Sequence, residues 1–208
     1  MKTISLKKLS AVYTNKFPTI PSLDDVIQNE SLLSYDNAID YVFPEDKNLK
    51  TFTYRLLEKL VNEYGYTKLP DDGASRVCVV SHDKTHVLKL PKDLGGVFDN
   101  YREQLLYISA YNVGCDKFAE CMIHGQVLCM EYVITDVDNY LIDDNREWII
   151  MLDCEQVGLT DDNRLVAYDY GDLQISLASR TVYIHTFFDT LTDIVNGDAT
   201  YHYSFNIA

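Results

Sequence analysis

The chain lacks a long run of apolar residues. No segment of the 208-residue sequence has 18 consecutive apolar residues, which is about the length that a membrane-spanning helix needs. Residues 1–8 likewise contain no apolar run of the kind that a signal peptide uses. We therefore expect no membrane span, no signal peptide and a cytoplasmic location.

Paired cysteines and metal-ligand spacings are also missing. The chain has five cysteines, which is an odd number, and no two of them form a Cys-x-x-Cys pair. Three lie among apolar residues, a setting typical of reduced, buried thiols in a cytosolic protein. The five histidines show no spacing typical of metal ligands. The cysteines, expected to be free thiols, are Cys78, Cys115, Cys121, Cys129 and Cys154.

Basic residues are scarce relative to acidic ones. The chain has 18 Lys and Arg residues against 32 Asp and Glu residues, which gives a formal net charge of −14. Such a charge repels phosphate backbones, so we do not expect nucleic-acid binding over a broad surface. Two explanations of the acidity stay open. One is solubility, and the other is a decoy that imitates the charge of a nucleic acid and occupies a DNA-binding protein.

What the sequence does have is enough apolar material for a packed core. Hydrophobic residues make up 47% and aromatic residues 12% of the chain, and its length fits one domain or a domain with an extension. Residues 1–50 are loosely patterned, although residues 22–25 resemble the start of a helix. Apolar residues recur at helical spacing in residues 49–64, and Gly65 follows as a C-terminal stop. This helix is expected to pack on the segment that follows it.

From residue 73 onward the pattern changes to short strands. Pairs of apolar runs joined by short turns predict three hairpins, at 77–80 with 85–90, 122–124 with 126–133, and 157–160 with 165–168. Helical spacing of apolar residues predicts helices at 98–111, 139–152 and 181–195. The expected fold class is α+β, with a small antiparallel sheet and a helix packed against it.

Three charged residues follow one another in this second part of the chain. Lys89 stands among apolar residues of a predicted strand, Glu103 follows 14 residues later on the next helix, and Asp169 ends the last strand. An unpaired buried charge is unfavourable, so a lysine in an apolar strand is expected to have a partner such as Glu103. Each residue alone has a plainer interpretation. These are a lysine reaching solvent from an edge strand, a solvated glutamate, and a strand that ends in a tight turn.

In this order and spacing, Lys89, Glu103 and the sequence Asp169-Tyr170-Gly171 resemble the parts with which protein kinases hold ATP. The resemblance covers residues 73–175, about half of the chain, and is closest to small kinase-like proteins encoded by bacteriophages. It implies that Lys89 contacts phosphate oxygens and that Glu103 holds the lysine in place. It further implies that Asp169 and Gln156 bind Mg²⁺.

The resemblance also implies where the rest of the nucleotide lies. Residues 128–133 resemble the strand and hinge that close over adenine, so Met130, Glu131 and Val133 are expected to contact the base. Gly73 and Ser75 lie where kinases keep a glycine-rich loop over the phosphates. Only one of the three usual glycines is present in that loop.

The catalytic loop departs from the kinase pattern. Kinases place an aspartate base five residues before a metal-binding asparagine, and the corresponding positions here are Met151 and Gln156. Met151 cannot orient a hydroxyl group. Asp153 is the expected substitute, as an atypical catalytic base, and Glu155 lies nearby. Only 37 residues follow Gly171, which is too few for a full kinase helical lobe.

These observations predict a helical N-terminal extension at 1–70, a part like the kinase N-terminal lobe at 71–135, and a reduced helical C-terminal part at 136–208. The expected function is that of a kinase-like protein, either a pseudokinase or an atypical kinase, that binds ATP and Mg²⁺, a partner protein, or both. A phage-type modulator of a host protein, located in the host cytoplasm, fits this description. The alternatives are an acidic non-enzymatic inhibitor or nucleic-acid mimic, and a phosphotransferase for a small substrate.

Overall fold

The computed structural model describes residues 5–28, 46–70, 73–112, 114–149 and 156–170. Within these ranges, no helix is both long and apolar enough to cross a membrane. Several predicted features lie outside the described residues. They are the helix at 181–195, Gly171, Met151, Asp153, Cys154 and Glu155.

A five-stranded antiparallel sheet organises the described structure. Its strands are β1 (Thr67–Lys68), β2 (Arg76–Val80), β3 (His86–Pro91), β4 (Cys121–His124) and β5 (Val127–Glu131). Their order across the sheet is β1-β2-β3-β5-β4, and every neighbouring pair is antiparallel. The α+β fold class and the first two predicted hairpins are thereby confirmed.

The two faces of the sheet meet two different apolar cores. Successive side chains of a strand point to opposite faces. Val79 pairs with Leu88, and both are buried in a first core, which includes residues of the N-terminal helices. Lys89, one residue further on, pairs with Leu128, which is buried in a second core. Lys89 therefore lies on the face of the sheet that is directed toward the second core.

Three helices of the N-terminal part contribute to the first core, namely α1 (Leu6–Lys16), α2 (Leu23–Gln28) and α3 (Asp46–Tyr64). The hydroxyl of Tyr13 in α1 lies 3.0 Å from Thr53 Oγ1 in α3, and Thr53 Oγ1 donates to the Pro91 carbonyl of β3 at 2.6 Å. The predicted packing of the 49–64 helix on the following segment is confirmed. Helix α1 lies within the N-terminal extension that was predicted to be helical, although the sequence pattern did not place a helix at these residues.

The ends of α2 and α3 follow from local chemistry. The Asp25 N–H donates to Ser22 Oγ at 3.2 Å, and the Ser22 N–H donates to the Asp25 carboxylate at 2.9 Å, which is the reciprocal bonding of a capping box. Helix α3 begins three residues before its predicted start. It is followed by Gly65 with a φ of 73°, a conformation that glycine adopts without strain.

Segment 1–70 is not only helical. Its strand β1 pairs with β2, with Thr67 opposite Val80 and Lys68 opposite Val79. The N-terminal part thus contributes an edge strand to the sheet as well as helices to the first core.

Helix α4 (Leu94–Asn112) contacts both cores. Its residue Tyr101 is buried in the first core, and its residue Leu106 is buried in the second.

The helix begins four residues before its predicted start, and its first turn includes Gly96. A Cβ on Gly96 would lie 2.3 Å from the backbone oxygen of Ser75. The loop before β2 can approach this turn only because the side chain is missing.

The C-terminal part contains α5 (Asn139–Asp144), α6 (Arg146–Ile149), β6 (Val157–Leu159) and β7 (Leu165–Ala167). Strands β6 and β7 are antiparallel, which confirms the third predicted hairpin. The single helix predicted at 139–152 is divided at Asn145. The amide of Asn145 donates to the Leu141 carbonyl at 2.9 Å and accepts from Trp148 Nε1 at 3.2 Å, bonding that favours a turn over a continuous helix.

The four described cysteines, Cys78, Cys115, Cys121 and Cys129, are free thiols, as expected. Of these four, Cys121 is buried, and the other three are partly exposed. The expectation of buried thiols therefore holds for Cys121 alone among them. Burial raises the pKa of the Cys121 thiol to about 12, so this group is protonated at neutral pH.

Candidate functional site

A buried ion pair joins β3 to α4. Lys89 Nζ donates to both carboxylate oxygens of Glu103, at 3.0 Å and 2.8 Å. The side chains are 5% and 0% exposed. The ion pair expected from the 14-residue spacing is therefore present, between the strand and the helix that were predicted to carry it.

A buried amide holds the helix in place beside the ion pair. Asn100 lies one turn before Glu103 on α4. Its Nδ2 donates to the Lys89 carbonyl at 3.0 Å and to the Gln126 carbonyl at 2.8 Å. Because one side chain bonds both β3 and the turn before β5, it fixes the distance between α4 and the sheet. The Glu103 carboxylate is thereby directed at Lys89.

Asp169 reaches the same lysine from the end of β7. Lys89 Nζ donates to the Tyr168 carbonyl at 2.8 Å and lies 3.6 Å from Asp169 Oδ1. The next residue, Tyr170, is buried, and its hydroxyl donates to the Ala119 carbonyl at 3.0 Å. The aromatic residue thus anchors the segment that carries Asp169, and the structure brings Lys89, Glu103 and Asp169 together.

A fourth charged residue, Arg76, lies among these three and was missed in the sequence. Arg76 Nη1 donates to Glu103 Oε1 at 2.6 Å, and Nη2 donates to Asp169 Oδ1 at 2.8 Å. The Arg76 side chain is only 11% exposed. Two cations and two carboxylates therefore form one contiguous group, Arg76, Lys89, Glu103 and Asp169, which we call the charged cluster.

The register of the first hairpin explains the position of Arg76. Cys78 of β2 lies opposite Lys89 of β3, and Arg76 is two residues before Cys78. Residues two apart on a strand share a face, so Arg76 and Lys89 are diagonal neighbours. The signal in the sequence was the turn at 81–85, which sets this register. The hairpin was predicted, but its register was not.

The electrostatics of the cluster differ between its two acids. Burial alone opposes the ionisation of Asp169, but the charges of Lys89 and Arg76 outweigh it and lower the pKa of this carboxyl below its ordinary value. Complete burial raises the pKa of Glu103, and attraction by Arg76 and Lys89 counters that rise. The Asp169 side chain is 40% exposed. Asp169 is thus an ionised carboxylate that a ligand can reach from solvent.

The loop with Gly73 and Ser75 is bonded to residues near the start of α4. Ser75 Oγ donates to Asp99 Oδ2 at 2.5 Å, and the Ser75 carbonyl accepts from the Lys92 N–H at 2.8 Å. Lys92 Nζ donates to the Gly73 carbonyl at 2.5 Å. These bonds direct the Ser75 hydroxyl to Asp99, and the residue that this loop delivers to the charged cluster is Arg76.

The segment expected to contact adenine runs along the end of β5. Met130 lies opposite Val87 of β3 and is buried. The Glu131 carboxylate accepts from Arg164 Nη2 at 3.2 Å and from the Glu120 N–H at 2.7 Å. The Glu131 side chain is thereby fixed against the loop before β4 and the turn before β7.

Val133, the last residue of that segment, is buried against β6. A Cβ on Gly158 would lie 2.7 Å from Val133 Cγ2, so the glycine permits this contact. The following residue, Ile134, exchanges two backbone hydrogen bonds with Leu159, at 2.8 Å and 2.9 Å. The five-stranded sheet and the β6–β7 ribbon are therefore joined directly after the expected adenine site.

The second expected metal ligand, Gln156, lies at the entrance to β6. The backbone carbonyl of Gln156 accepts from the Tyr168 N–H at 3.1 Å. Gln156 therefore lies beside Tyr168, the residue before Asp169. Among the described residues, no group of three or more His, Cys, Asp or Glu side chains is arranged to hold a metal ion. Asp153 lies outside the described residues.

Comparison with protein-family models gives no match, and neither does comparison with curated protein sequences. The chemistry of the charged cluster is therefore the basis for a functional assignment. That cluster combines a buried lysine, a guanidinium and one solvent-accessible carboxylate, a set of groups suited to an anionic ligand with an associated cation.

Proposed function

We propose that the protein is kinase-like, either a pseudokinase or an atypical kinase, and that it binds ATP with Mg²⁺. The observation that carries this proposal is the buried ion pair of Lys89 and Glu103 at 2.8 Å, with Asp169 Oδ1 3.6 Å from the same lysine nitrogen. In the pseudokinase form, the protein acts on a host or partner protein by binding it rather than by phosphorylating it.

The positions of the three residues along the fold support the proposal. Kinases carry the lysine on the third strand, the glutamate on the following helix, and the metal-binding aspartate in a later Asp-aromatic-Gly turn. Here Lys89 lies on β3, Glu103 on α4, and Asp169 two residues after β7. A buried ion pair alone is weak evidence for a stabilising role, since apolar residues often serve stability equally well. The proposal therefore rests on the arrangement of the three residues and not on the contribution of the pair to stability.

In this proposal Lys89 contacts the phosphates of the nucleotide, and residues at the end of β5 contact its base. Lys89 Nζ has three donors, which are directed at Glu103 and at the Tyr168 carbonyl. In this proposal a phosphate oxygen replaces one of these acceptors, and Glu103 keeps the lysine in place. The N–H groups of Glu131 and Tyr132 already donate to carbonyls within the protein. The base therefore bonds to the Val133 N–H and the Glu131 carbonyl in this proposal.

The fit of Mg²⁺ depends on Asp169. In nucleotide sites Mg²⁺ is usually held by one or two carboxylates together with phosphate oxygens. The Asp169 side chain is 40% exposed and has a lowered pKa, so it is suited to supply one carboxylate. Gln156 is the second ligand that we propose. The bound ion supplies neutralisation of phosphate charge, and Asp169 holds it.

Phosphotransfer to protein substrates is proposed to be slow or absent. A base must lie within hydrogen-bond reach of the acceptor hydroxyl, and Met151 at the base position has no suitable group. Asp153 is the substitute that we propose for an atypical kinase. Radiolabel transfer from ATP at a rate typical of kinases, about 1–100 s⁻¹, would exclude the pseudokinase form. Loss of that activity in Asp153→Asn would then support the atypical base.

Thermal unfolding with and without ATP and Mg²⁺ tests nucleotide binding. A ligand that binds the native state raises the unfolding midpoint by mass action, so we expect a rise for the parent protein and none for Lys89→Met. Each variant is compared with its own ligand-free midpoint, because Lys89→Met also disturbs the charged cluster. Lys59→Met, at an exposed position of α3, is the matched control and should respond like the parent. Equal rises in Lys89→Met and the parent, or no rise in the parent, would contradict the assignment.

A further inference from the structure

The Arg76 guanidinium lies where the proposed site needs a metal ion. Arg76 Nη2 is 2.8 Å from Asp169 Oδ1, and Lys89 Nζ is 3.6 Å from the same oxygen. A metal ion bound to this carboxylate oxygen would have to occupy space next to two positive charges.

Arg76 is held firmly in this position. Its Nη1 donates to Glu103 Oε1 at 2.6 Å and to Asn100 Oδ1 at 3.3 Å. Its side chain is only 11% exposed. Hydrogen bonds between charged groups are about twice as strong as neutral ones, so these contacts oppose the departure of Arg76 from Asp169.

The charges of the cluster favour one cation over two at Asp169. Arg76 and Lys89 already balance the negative charges of Glu103 and Asp169. A divalent ion added without displacement would leave four positive charges against two negative ones in a largely buried setting, where repulsion is weakly screened. Arg76 and a divalent metal therefore exclude each other at this carboxylate.

We propose that Arg76 is a resident cation that competes with Mg²⁺ for Asp169, so that the metal binds there only when Arg76 is displaced. The role of this competition in ATP binding rests on the proposed function. Arg76 follows directly on the loop at 73–75, which is bonded to Asp99 and Lys92. Displacement of Arg76 therefore acts on this loop.

A titration with Mg²⁺ alone, without nucleotide, tests the competition directly. We expect Mg²⁺ to raise the unfolding midpoint of Arg76→Gln, with apparent binding about tenfold tighter than in the parent, as the loss of one hydrogen bond between charged groups predicts. The rise should disappear in Arg76→Gln combined with Asp169→Asn. The control Arg55→Gln makes the same change of net charge at an exposed position of α3 and should behave like the parent.

Arg76→Lys is the second variant, should Arg76→Gln fail to fold. It keeps the charge but loses the simultaneous contact with Glu103 and Asp169, so it should also bind Mg²⁺ more tightly than the parent. Equal Mg²⁺ responses in the parent and in the folded Arg76 variants would overturn the inference.

The same variants titrated with ATP and Mg²⁺ separate this inference from the proposed function. Tighter binding by Arg76→Gln than by the parent supports the competition. Weaker binding would identify Arg76 as a phosphate ligand and overturn it. A response to Mg²⁺ alone in Arg76→Gln, with no effect of ATP on any variant, would contradict the proposed function and leave the competition supported. Conversely, ATP binding that depends on Lys89, together with equal Mg²⁺ responses in Arg76→Gln and the parent, would support the proposed function and contradict the competition.

Discussion

Within the charged cluster, Glu103 is the acid that both buried cations contact. Its carboxylate accepts from Lys89 at 2.8 Å and from Arg76 at 2.6 Å, and its side chain is fully buried. Removing the charge from one member of such a group leaves the others buried and unpaired, which is more destabilising than replacing the whole group by apolar residues.

Glu103→Gln is therefore expected to lower the free energy of unfolding by about 3–5 kcal/mol. The neutral amide keeps the shape of the side chain but leaves Lys89 and Arg76 with Asp169 as their remaining carboxylate in the cluster. Urea unfolding of parent and variant measures the difference. Glu63→Gln, at an exposed position of α3, should change stability by less than about 0.5 kcal/mol. A loss from Glu103→Gln no larger than from the control would show that the ion pair is not formed in solution.

Asp169 gives the cluster a dependence on pH. Its pKa in the folded protein lies below the ordinary value of 3.8, so its stabilising effect is fully present above that value and is lost as the pH falls through the folded-state pKa. The stability advantage of the parent over Asp169→Asn should therefore be constant near neutral pH and shrink in acid below about pH 4. Thermal unfolding across this range measures it.

The control for this pH dependence is Asp136→Asn, which changes the same kind of group at an exposed position. Its stability should stay within about 0.5 kcal/mol of the parent over the same range. An advantage of the parent over Asp169→Asn that grows on acidification would contradict the assigned direction of the Asp169 pKa.

Single residues of the cluster were predictable where a local pattern isolates them. Lys89 is a charge inside an apolar strand, and Asp169 ends a strand at a turn, so both stand out in the sequence. Arg76 lies at the start of its strand, and only the register of β2 against β3 places it near Lys89. That register depends on the conformation of the turn between the strands, which a pattern of apolar residues does not specify.

Among the elements, α4 depends most on one close contact. Its first turn includes Gly95 and Gly96. A Cβ on Gly96 would lie 2.3 Å from the Ser75 backbone oxygen, whereas the nearest atom to a Cβ on Gly95 is the side-chain oxygen of Asp93, at 3.2 Å. The two glycines thus share a helical setting but differ in the space around them.

Gly96→Ala is expected to destabilise the protein by about 1–3 kcal/mol, although alanine in a helix interior is favoured over glycine by about 1 kcal/mol. The clash is with backbone, so the loop at 73–75 has to move away from α4. Gly95→Ala is the matched control and should be neutral or slightly stabilising. Chemical denaturation measures the free energy of unfolding of both variants. An equal effect of the two substitutions would exclude the close contact at Gly96.

Elements were predictable to the extent that their periodicity is strong. Three hairpins and helices α3 and α4 follow from apolar spacing and glycine stops. Helix α1 was missed because burial of two residues, Leu9 and Tyr13, on an otherwise mostly exposed helix produces a weak pattern. The division of the 139–152 helix was missed because it results from the side-chain bonds of Asn145, which compete with the helix only in this local geometry.

At the scale of the whole molecule, the sheet and α4 connect the two cores. One face of the sheet packs with α1, α2 and α3, and the other contacts the part that contains Trp148 and β6. A division at residue 70 thus separates segments that share the first core and a strand pairing. Because the sheet packs against both cores, one on each face, we expect the elements of the two cores to unfold together.

Leu60→Ala tests this cooperativity from the far side of the sheet. Leu60 in α3 is fully buried in the first core, so the substitution should lower the free energy of unfolding by about 2–5 kcal/mol. The chain has one tryptophan, Trp148, which is buried in the second core. If the described parts form one cooperative unit, Trp148 fluorescence and far-UV circular dichroism should report the same lowered urea midpoint. Val61→Ala, at the neighbouring exposed position, should leave both midpoints near those of the parent. A fluorescence midpoint that stays unchanged in Leu60→Ala, while circular dichroism shows an earlier transition, would establish the N-terminal part as a separate folding unit.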